Sequence, residues 1–366
     1  GTRAWDADGK EYLDFVAGWA VNQLGHCHPA VTKAIADQAA TLMQVSNQFY
    51  SVPQLQLAET LVENSALDLV FFGNSGAEAN EGAMKLARRY GKLNLDGAYE
   101  IITALNSFHG RTMGTLAATG QPHYQENFTP LQPGFVHVDY NDVEAIMNAT
   151  TDKTAAVMIE PVQGEAGVVI PADDYLKRVR DWCDEKGILL ILDEVQTGMG
   201  RLGSLFGYQE YGIEPDVMTL AKGLGYGVPI GAFMSKEHCM ALVPGDHGST
   251  FGGNMLTTAA AYAGTKFLID NDIPAKTKEM EPYLLGRLND LRGRFSFISE
   301  VRGKGLLAAM DFESEISPQV LTAANEAGIL LNAPRPTTIR FMPPLTITKE
   351  EIDQGTERLG NALATI

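Results

Sequence analysis

Cysteine and positive charge are scarce in this sequence, and no apolar run is long enough for a membrane helix. The three cysteines of the 366 residues are scattered and odd in number, so they make no disulfide framework, and a reducing cytoplasm fits them best. The 28 basic residues face 45 acidic ones, a net charge of -17 that argues against nucleic-acid or anionic-membrane partners. No stretch reaches the roughly 18 apolar residues that a membrane span needs. These observations leave a globular protein with small-molecule chemistry or protein partners.

Three further patterns are missing. The first residues, GTRAWDADGKEYLDF, lack the basic and apolar regions of a signal peptide, and because the chain opens directly in a strand, the sequence leaves open whether native N-terminal residues are missing. There is no internal repeat, low-complexity tract or charge run. His26, Cys27 and His28 invite a metal hypothesis, but adjacent residues cannot easily all chelate one ion and no second ligand cluster follows, so we predict no metal site.

The stretch 216–232, DVMTLAKGLGYGVPIGA, is glycine-rich around a single lysine. A strand-like run ends at Ala221, Lys222 follows, and glycines stand at 223, 225, 227 and 231. Glycines permit close backbone packing and leave room for a flat ligand. A lysine at a strand end can form a Schiff base with a carbonyl compound. A lone Lys-Gly is more often an exposed turn, so this hypothesis depends on the rest of the chain.

A second stretch, LDLVFFGNSGAEANEGAMKLARRYG, has the pattern of a phosphate site. A short apolar strand leads through a small-residue turn, with Ser75, Gly76 and Ala77, into a helix. Backbone N–H groups and the helix dipole bind phosphate at such a helix start. The Gly-Lys-Ser/Thr end of a nucleotide-binding loop is absent, so a nucleoside triphosphate is not expected. A plain strand–helix connection is the alternative.

Two more predicted strands end in chemically useful residues. IITAL leads to Phe108 and His109, which could stack on a planar ring, and to Arg111, which could clamp a carboxylate. A core aromatic and an ordinary ion pair are the alternatives for Phe108 and Arg111. The continuous apolar run ILLIL indicates a strand buried on both faces of a parallel sheet, and it runs directly into Asp193. Ligand sites of open α/β sheets lie at such strand ends.

Taken together, the phosphate-binding turn, the aromatic, the acid and the lysine suit pyridoxal 5'-phosphate. The lysine would hold the aldehyde, the acid would keep the pyridine nitrogen protonated, and the aromatic would stack on the ring. A nicotinamide-dependent dehydrogenase is disfavoured because the glycines at 223–227 lie past the midpoint of the chain, without the later acidic residue and second nucleotide-binding half. A non-catalytic binding module would leave Asp193 and Lys222 as buried charges without a purpose.

Seven blocks resemble the class III (ω-type) aminotransferases of fold type I, in the family's order and over nearly the whole chain. They are FGNSGAEANEGAMKLAR, SFHGRT, EPVQGEAG, LDEVQTGMGR, LAKGLGYGVPIGA, HGSTFGGN and IRFMPPL. The resemblance implies an α/β fold with a central, mostly parallel sheet flanked by helices, plus a smaller α+β C-terminal domain. We predict an N-terminal segment (1–35) packing with the small domain, a large cofactor-binding domain (36–271) and a small domain (272–366).

The resemblance also implies roles for individual residues. Lys222 would be the Schiff-base lysine and the proton-transferring base, and Asp193 the partner of the pyridine nitrogen. The implied cofactor-binding residues are Ser75, Gly76, Ala77, Phe108, Asp193, Glu194, Val195, Gln196, Lys222 and, from the neighbouring subunit of a homodimer, Thr250. The implied substrate-binding residues are Arg111, Glu165, Ser249 and Arg340.

Within the family, AVNQLGHCHPAV, SNQFYSVPQLQLAETL and LDEVQTGMGR most resemble the acetylornithine-type members. This implies transfer of the terminal amino group of N2-acetyl-L-ornithine to 2-oxoglutarate, a step of arginine biosynthesis that yields N-acetylglutamate 5-semialdehyde and glutamate. In such members Glu165 would pair with Arg340 and swing away when glutamate binds. Ornithine, succinylornithine, 4-aminobutyrate and N-acetyllysine stay open as alternative substrates.

Two positions depart from the family pattern. Met255 stands where proline is common, so we expect a changed loop after Thr250 with the phosphate contact retained. Trp19 stands near the substrate entrance at a position that varies between subfamilies, so the acyl-group preference stays open.

Overall fold

Fourteen β-strands and twelve α-helices follow one another in the computed structural model, which describes residues 1–366. The strands are β1 (Arg3–Trp5), β2 (Glu11–Asp14), β3 (Leu69–Gly73), β4 (Glu100–Ala104), β5 (Phe135–Val138), β6 (Thr154–Ile159), β7 (Leu189–Asp193), β8 (Val217–Leu220), β9 (Gly231–Ser235), β10 (Ile298–Lys304), β11 (Leu307–Phe312), β12 (Ile329–Leu330), β13 (Asn332–Arg335) and β14 (Thr338–Phe341). The helices are α1 (Ala17–Ala20), α2 (Pro29–Thr41), α3 (Val52–Glu63), α4 (Gly76–Asn94), α5 (Met113–Ala118), α6 (Pro122–Gln125), α7 (Val143–Ala149), α8 (Tyr175–Lys186), α9 (Met255–Asp270), α10 (Ile273–Arg294), α11 (Ser317–Glu326) and α12 (Lys349–Leu363). Short 3-10 helices include Gly207–Tyr211 and Lys222–Leu224.

The central sheet has seven strands in the order β3-β9-β8-β7-β6-β4-β5. Strands β8, β7, β6, β4 and β5 are mutually parallel, and β9 runs antiparallel to both β8 and β3. Every residue of β6 and β7 is buried, as the continuous apolar runs predicted. Helix α4 packs across β6, β8 and β9, and α8 packs against β7. The predicted mostly parallel sheet flanked by helices is therefore confirmed.

Two smaller sheets lie outside this layer. The order β10-β11-β14-β13 forms an antiparallel sheet against which α10 and α11 pack, which confirms the smaller α+β part. The N-terminal hairpin β1–β2 joins the C-terminal part of the chain because β2 pairs with β12 in parallel. The predicted domain boundaries stay a prediction. No helix in the structure combines the length and apolar character that crossing a bilayer requires.

The sheet topology brings the functional strand ends together. Because β4, β6, β7 and β8 run parallel, the residues that follow them reach the same edge of the sheet. The first turn of α4 reaches the same edge from β3 through the turn GNSG, and β14 of the smaller sheet supplies Arg340. This edge holds the cleft described below.

Candidate active site

A cleft at the carboxyl edge of the central sheet collects residues from loops that are far apart in sequence. It is lined by Gly76, Ala77, Asn80, Phe108, His109, Gly110, Glu160, Glu165, Asp193, Val195, Gln196 and Lys222. Most of the residues predicted from the sequence to bind a cofactor are among them. The structure adds four that the predicted set of site residues lacked, namely Asn80, His109, Gly110 and Glu160.

Lys222 lies at the end of β8 and begins a 3-10 helix. Its backbone φ of +36° lies in the left-handed region, which a residue with a side chain adopts only at an energetic cost that the surrounding structure must offset. Burial is the main cause that lowers the pKa of its ammonium group, and the nearby positive charge of Arg340 lowers it further; the negative charges of Glu165 and Asp193 act in the opposite direction. The lysine is thereby shifted towards its neutral, nucleophilic form.

Asp193 ends β7, is buried and has its carboxylate fixed by three neighbours. Its Oδ2 accepts a hydrogen bond from Asn80 Nδ2 at 2.8 Å and lies 2.8 Å from His109 Nδ1, while Oδ1 accepts the backbone N–H of Val195 at 3.0 Å. Burial lowers the pKa of His109, but the hydrogen bond and charge of Asp193 outweigh burial and raise it. The imidazole therefore has a carboxylate partner that favours its protonated form, and the pair holds the acid in place.

The first turn of α4 supplies the part of the cleft that suits a phosphate group. The Ser75 side chain caps the helix by accepting the backbone N–H of Glu78 at 3.1 Å. The two preceding N–H groups, those of Gly76 and Ala77, belong to the first turn of the helix, where no intrahelical acceptor exists. A Cβ added at Gly76 would lie 2.9 Å from Val195 Cγ1, so the backbone of the helix start packs directly against the loop after β7.

A second cluster surrounds the fully buried Arg340. Its Nη1 donates to Glu165 Oε1 at 2.9 Å and to Gln196 Oε1 at 3.0 Å, while Nε and Nη2 donate to Asn332 Oδ1 at 3.0 and 2.7 Å. Gln196 Nε2 also donates to Glu165 Oε1 at 3.2 Å. Burial would raise the pKa of Glu165, but the charges of Arg340 and Lys222 outweigh burial and lower it. Asn332 was not among the residues predicted from the sequence.

Glu160 occupies the floor between these clusters. Its two carboxylate oxygens accept the backbone N–H groups of Phe108 and Gly164, each at 3.3 Å, so it joins the loop after β4 to the loop after β6. Burial raises the pKa of Glu160 to about 7, against the opposing charge of His109.

The structure turns the side chain of Glu194 away from the cleft. Its carboxylate accepts the backbone N–H groups of Gly207 and Tyr208, the latter at 2.7 Å, and so holds the start of the 3-10 helix Gly207–Tyr211. Burial raises its pKa to about 7, although these two N–H donors lower it. Only its backbone remains near the residues around Asp193.

Ser249, Thr250 and Arg111 lie outside the cleft lining. Thr250 is exposed, and its carbonyl oxygen accepts from Gln44 Nε2 at 2.5 Å. The Ser249 hydroxyl accepts the backbone N–H of Gly252 at 2.9 Å. Arg111 is exposed, and its guanidinium carbon lies 3.8 Å from the centre of the Tyr124 ring and 5.4 Å from that of Phe108. Cation–π contacts thus orient Arg111 beside the cleft without an ion pair.

The residues at this edge fit pyridoxal phosphate. One cleft brings together the unbonded N–H groups of a helix start, a buried and fixed carboxylate, an aromatic side chain and a lysine of lowered pKa. A carboxylate is the partner that a protonated pyridine nitrogen needs, and a helix start is the partner that a phosphate needs.

Comparison with known proteins agrees with this geometry. The family model "Aminotransferase class-III" matches residues 1–363. The chain belongs to the class III aminotransferase family. The predicted fold class, enzyme class and cofactor, pyridoxal 5'-phosphate, are confirmed by this membership.

Named relatives and solved structures cover the length of this aminotransferase. This chain is 52% identical over 356 residues to a protein of Methanocaldococcus jannaschii named acetylornithine aminotransferase. The match covers 96% of this chain and 89% of that protein. A Gloeobacter violaceus protein of the same name is 51% identical, with 99% and 91% covered. The ornithine aminotransferase of Toxoplasma gondii superposes with a TM-score of 0.96 at 36% identity (100% and 89% covered), and the acetylornithine aminotransferase of Elizabethkingia anophelis with 0.89 at 31% (100% and 92%).

Proposed function

We propose that this aminotransferase moves the terminal amino group of N2-acetyl-L-ornithine to 2-oxoglutarate. The products are N-acetyl-L-glutamate 5-semialdehyde and L-glutamate, and the step belongs to arginine biosynthesis. The observation that carries the proposal is the Glu165–Arg340 ion pair beside Lys222. The names of relatives at 44 to 52% identity support the acetylated substrate in preference to free ornithine.

The residues around the cofactor would act as follows. Bound pyridoxal phosphate supplies an aldehyde that carries the amino group and a ring that accepts electrons. The N–H groups of Gly76 and Ala77 would hold its phosphate, and the Asp193 carboxylate would accept a hydrogen bond from the ring nitrogen. Phe108 and Val195 would pack against the ring, and Gln196 would bind near the ring hydroxyl.

Lys222 carries the proton transfer. Its lowered pKa favours the neutral form of Nζ, so Lys222 takes the proton from the substrate carbon that bears the amino group and later returns it.

The Glu165–Arg340 pair allows one cleft to accept two differently charged substrates. The reacting end of acetylornithine has no carboxylate, and Glu165 then neutralises the buried Arg340. When glutamate or 2-oxoglutarate binds, its α-carboxylate takes the place of Glu165 on the guanidinium. Glu165 is partly exposed and lies on a loop, so it is the member of the pair able to move. Arg111 binds the distal carboxylate from the mouth of the cleft.

A homodimer would complete the site. Large apolar side chains are exposed near Thr250, with Tyr50 88%, Phe251 63% and Phe49 61% exposed. Such a patch is typical of a protein interface. We propose that Thr250, with Ser249 beside it, contacts the phosphate and substrate of the partner subunit. The three free cysteines support a reducing cytoplasm as the location.

Initial rates decide the substrate. With 2-oxoglutarate saturating, kcat/KM is measured for N2-acetyl-L-ornithine, L-ornithine, N2-succinyl-L-ornithine, 4-aminobutyrate and N-acetyllysine. The highest value is expected for acetylornithine. A preference for free ornithine or another donor would overturn the substrate assignment while leaving the family intact.

A further inference from the structure

The two sides of the Arg340 guanidinium have different kinds of neighbour. On the Nη1 side lie the only carboxylate that contacts the guanidinium, that of Glu165 at 2.9 Å, and the amide oxygen of Gln196 at 3.0 Å. On the opposite side a neutral amide oxygen, Asn332 Oδ1, accepts from both Nε and Nη2. Because the arginine is fully buried, each of these acceptors replaces hydrogen bonds that water would otherwise provide.

The two neighbours also differ in how firmly they are attached to Arg340. Asn332 and Arg340 are directly paired residues on the antiparallel strands β13 and β14, so the backbone ladder fixes their separation. Glu165 comes from the loop after β6, in the other sheet system. When Glu165 leaves the guanidinium, the Asn332 contact therefore remains, and it holds the plane of the guanidinium from the side away from Glu165.

The neutrality of Asn332 matters as much as its position. An amide oxygen satisfies two N–H donors without cancelling the positive charge of the guanidinium. A carboxylate at the same place would neutralise Arg340 permanently and compete with an incoming substrate carboxylate. The charge of Arg340 is thus cancelled only by the movable Glu165.

We propose that Asn332 is a positioning residue that makes this site selective for a 2-oxo dicarboxylate and its amino acid in one half-reaction. It fixes the orientation of Arg340 while Glu165 is displaced, and it leaves the full positive charge for the substrate α-carboxylate. This inference rests on the proposed alternation of Glu165 and substrate at Arg340. It predicts that changes at residue 332 affect glutamate and 2-oxoglutarate more than acetylornithine.

The test compares Asn332→Asp and Asn332→Leu with the wild-type holoenzyme. Asn332→Asp keeps the shape and an acceptor but adds charge, whereas Asn332→Leu keeps the approximate volume and removes the acceptor. Single-turnover half-reactions, followed by the absorbance of the bound cofactor, give the half-saturating concentrations of glutamate and of acetylornithine. We divide the half-saturating concentration of glutamate by that of acetylornithine. This ratio is expected to rise about tenfold in Asn332→Asp, and to rise also in Asn332→Leu.

A binding measurement separates this effect from a defect in turnover. The affinity for glutarate, an unreactive dicarboxylate, is expected to fall about tenfold in Asn332→Asp. Asn289→Asp, which adds the same charge at an exposed position of α10, is the matched control and is expected to change neither quantity. Thermal denaturation verifies folding, and if Asn332→Leu fails to fold, Asn332→Asp alone decides.

The result of the Asn332 test does not depend on whether acetylornithine is the correct substrate. A ratio that rises more than twofold in Asn332→Asp supports the positioning role, and any smaller, equal or opposite change overturns it, because a purely structural defect would affect both half-reactions alike. If the wild-type enzyme prefers another ω-amine donor, that donor replaces acetylornithine in the ratio. The acetylornithine assignment then fails while the Asn332 test still gives its answer with glutamate.

Discussion

A single residue, Glu165, neutralises the positive charge of Arg340 in the cleft. The guanidinium is fully buried, and among the atoms that contact it only the Glu165 carboxylate carries an opposite charge. The pKa of Glu165 is lowered even though burial opposes this, which shows that the carboxylate is held by the positive charges of Arg340 and Lys222. Removing one partner of a buried ion pair is energetically unfavourable, because the remaining charge is buried without compensation. The substrate must therefore supply the missing carboxylate whenever Glu165 moves.

Replacing Glu165 with glutamine tests this directly. Glu165→Gln removes the negative charge but keeps a polar group, so Arg340 faces the cleft with its charge uncancelled. We expect the half-saturating concentration of glutamate to fall and that of acetylornithine to rise, shifting their ratio roughly tenfold towards glutamate. Half-reaction kinetics measure it, with the surface variant Glu185→Gln as control. An unchanged ratio would show that Glu165 does not compete with the substrate carboxylate for Arg340.

At the scale of elements, the cleft depends on the close approach of two loops. The loop after β6 passes so near to the loop after β7 that a Cβ added at Gly164 would lie 1.7 Å from Gln196 Oε1. Gln196 in turn contacts both members of the Glu165–Arg340 pair. A glycine at position 164 is therefore required for the hydrogen-bond network to close.

A methyl group at Gly164 should break this network. Gly164→Ala must displace Gln196 and its bond to Arg340, so we expect kcat/KM to fall at least tenfold with the fold retained. Steady-state kinetics and circular dichroism measure the two effects. Gly286→Ala is the control, because a Cβ at Gly286 on α10 meets no atom within 4 Å and should leave activity unchanged. Wild-type kinetics in Gly164→Ala would contradict the packing argument.

The loop after β7 also carries a buried acid whose titration affects stability. The pKa of Glu194 is raised by burial from its ordinary 4.5 to about 7. Between these pH values the unfolded chain has released the proton while the folded chain retains it. The folded state therefore binds more protons, and stability falls as the pH rises from 4.5 to 7. At about 1.4 kcal/mol per pKa unit, the contribution is roughly 3 kcal/mol.

Removing that titration gives a measurable change. Glu194→Gln cannot ionise, so its destabilisation relative to wild type should be larger at pH 5 than at pH 8. Thermal or denaturant unfolding at the two pH values measures the difference. A stability difference that is independent of pH would mean that Glu194 titrates near its ordinary value. Glu160, whose pKa is also about 7, is present in both proteins and cancels in the comparison.

Much of this architecture is predictable from the sequence, because the carboxyl ends of parallel strands lie at the same edge of a sheet. Continuous apolar runs mark β6 and β7 as buried parallel strands, so Asp193 and Lys222 are expected at one edge. Glu194 was predicted with its neighbour, but successive side chains of an extended chain point to opposite faces, and its carboxylate binds elsewhere. Its assignment to the cofactor stays a prediction that only its backbone can now support.

The residues that sequence reasoning missed differ in whether the sequence carries any signal for them. Asn80 lies on the buried face of α4 beside Ala79 and Ala83, and a polar residue on an apolar helix face indicates a buried polar partner. Asn332 has no such signal, because its contact with Arg340 depends on the register of two strands across an irregular hairpin.

At the scale of the whole molecule, the exposed aromatic patch predicts a dimer. We expect the native mass in solution to be twice the 39.6 kDa of one chain. Tyr50→Glu places a charge in the patch and should shift the protein towards monomer and lower its activity together. Analytical ultracentrifugation measures the mass, and Tyr99→Glu, at another exposed aromatic, is the control. Full activity in a monomeric variant would contradict a partner-subunit role for Thr250.

The proposed chemistry of the whole enzyme depends on Lys222 being the residue that binds the cofactor covalently. Borohydride reduction of the holoenzyme, followed by peptide mass spectrometry, locates the attachment directly. We predict pyridoxal phosphate on the peptide containing Lys222, and in Lys222→Ala a protein that still binds the cofactor non-covalently but has lost turnover. Cofactor attached to a different lysine, or normal turnover in Lys222→Ala, would contradict the account.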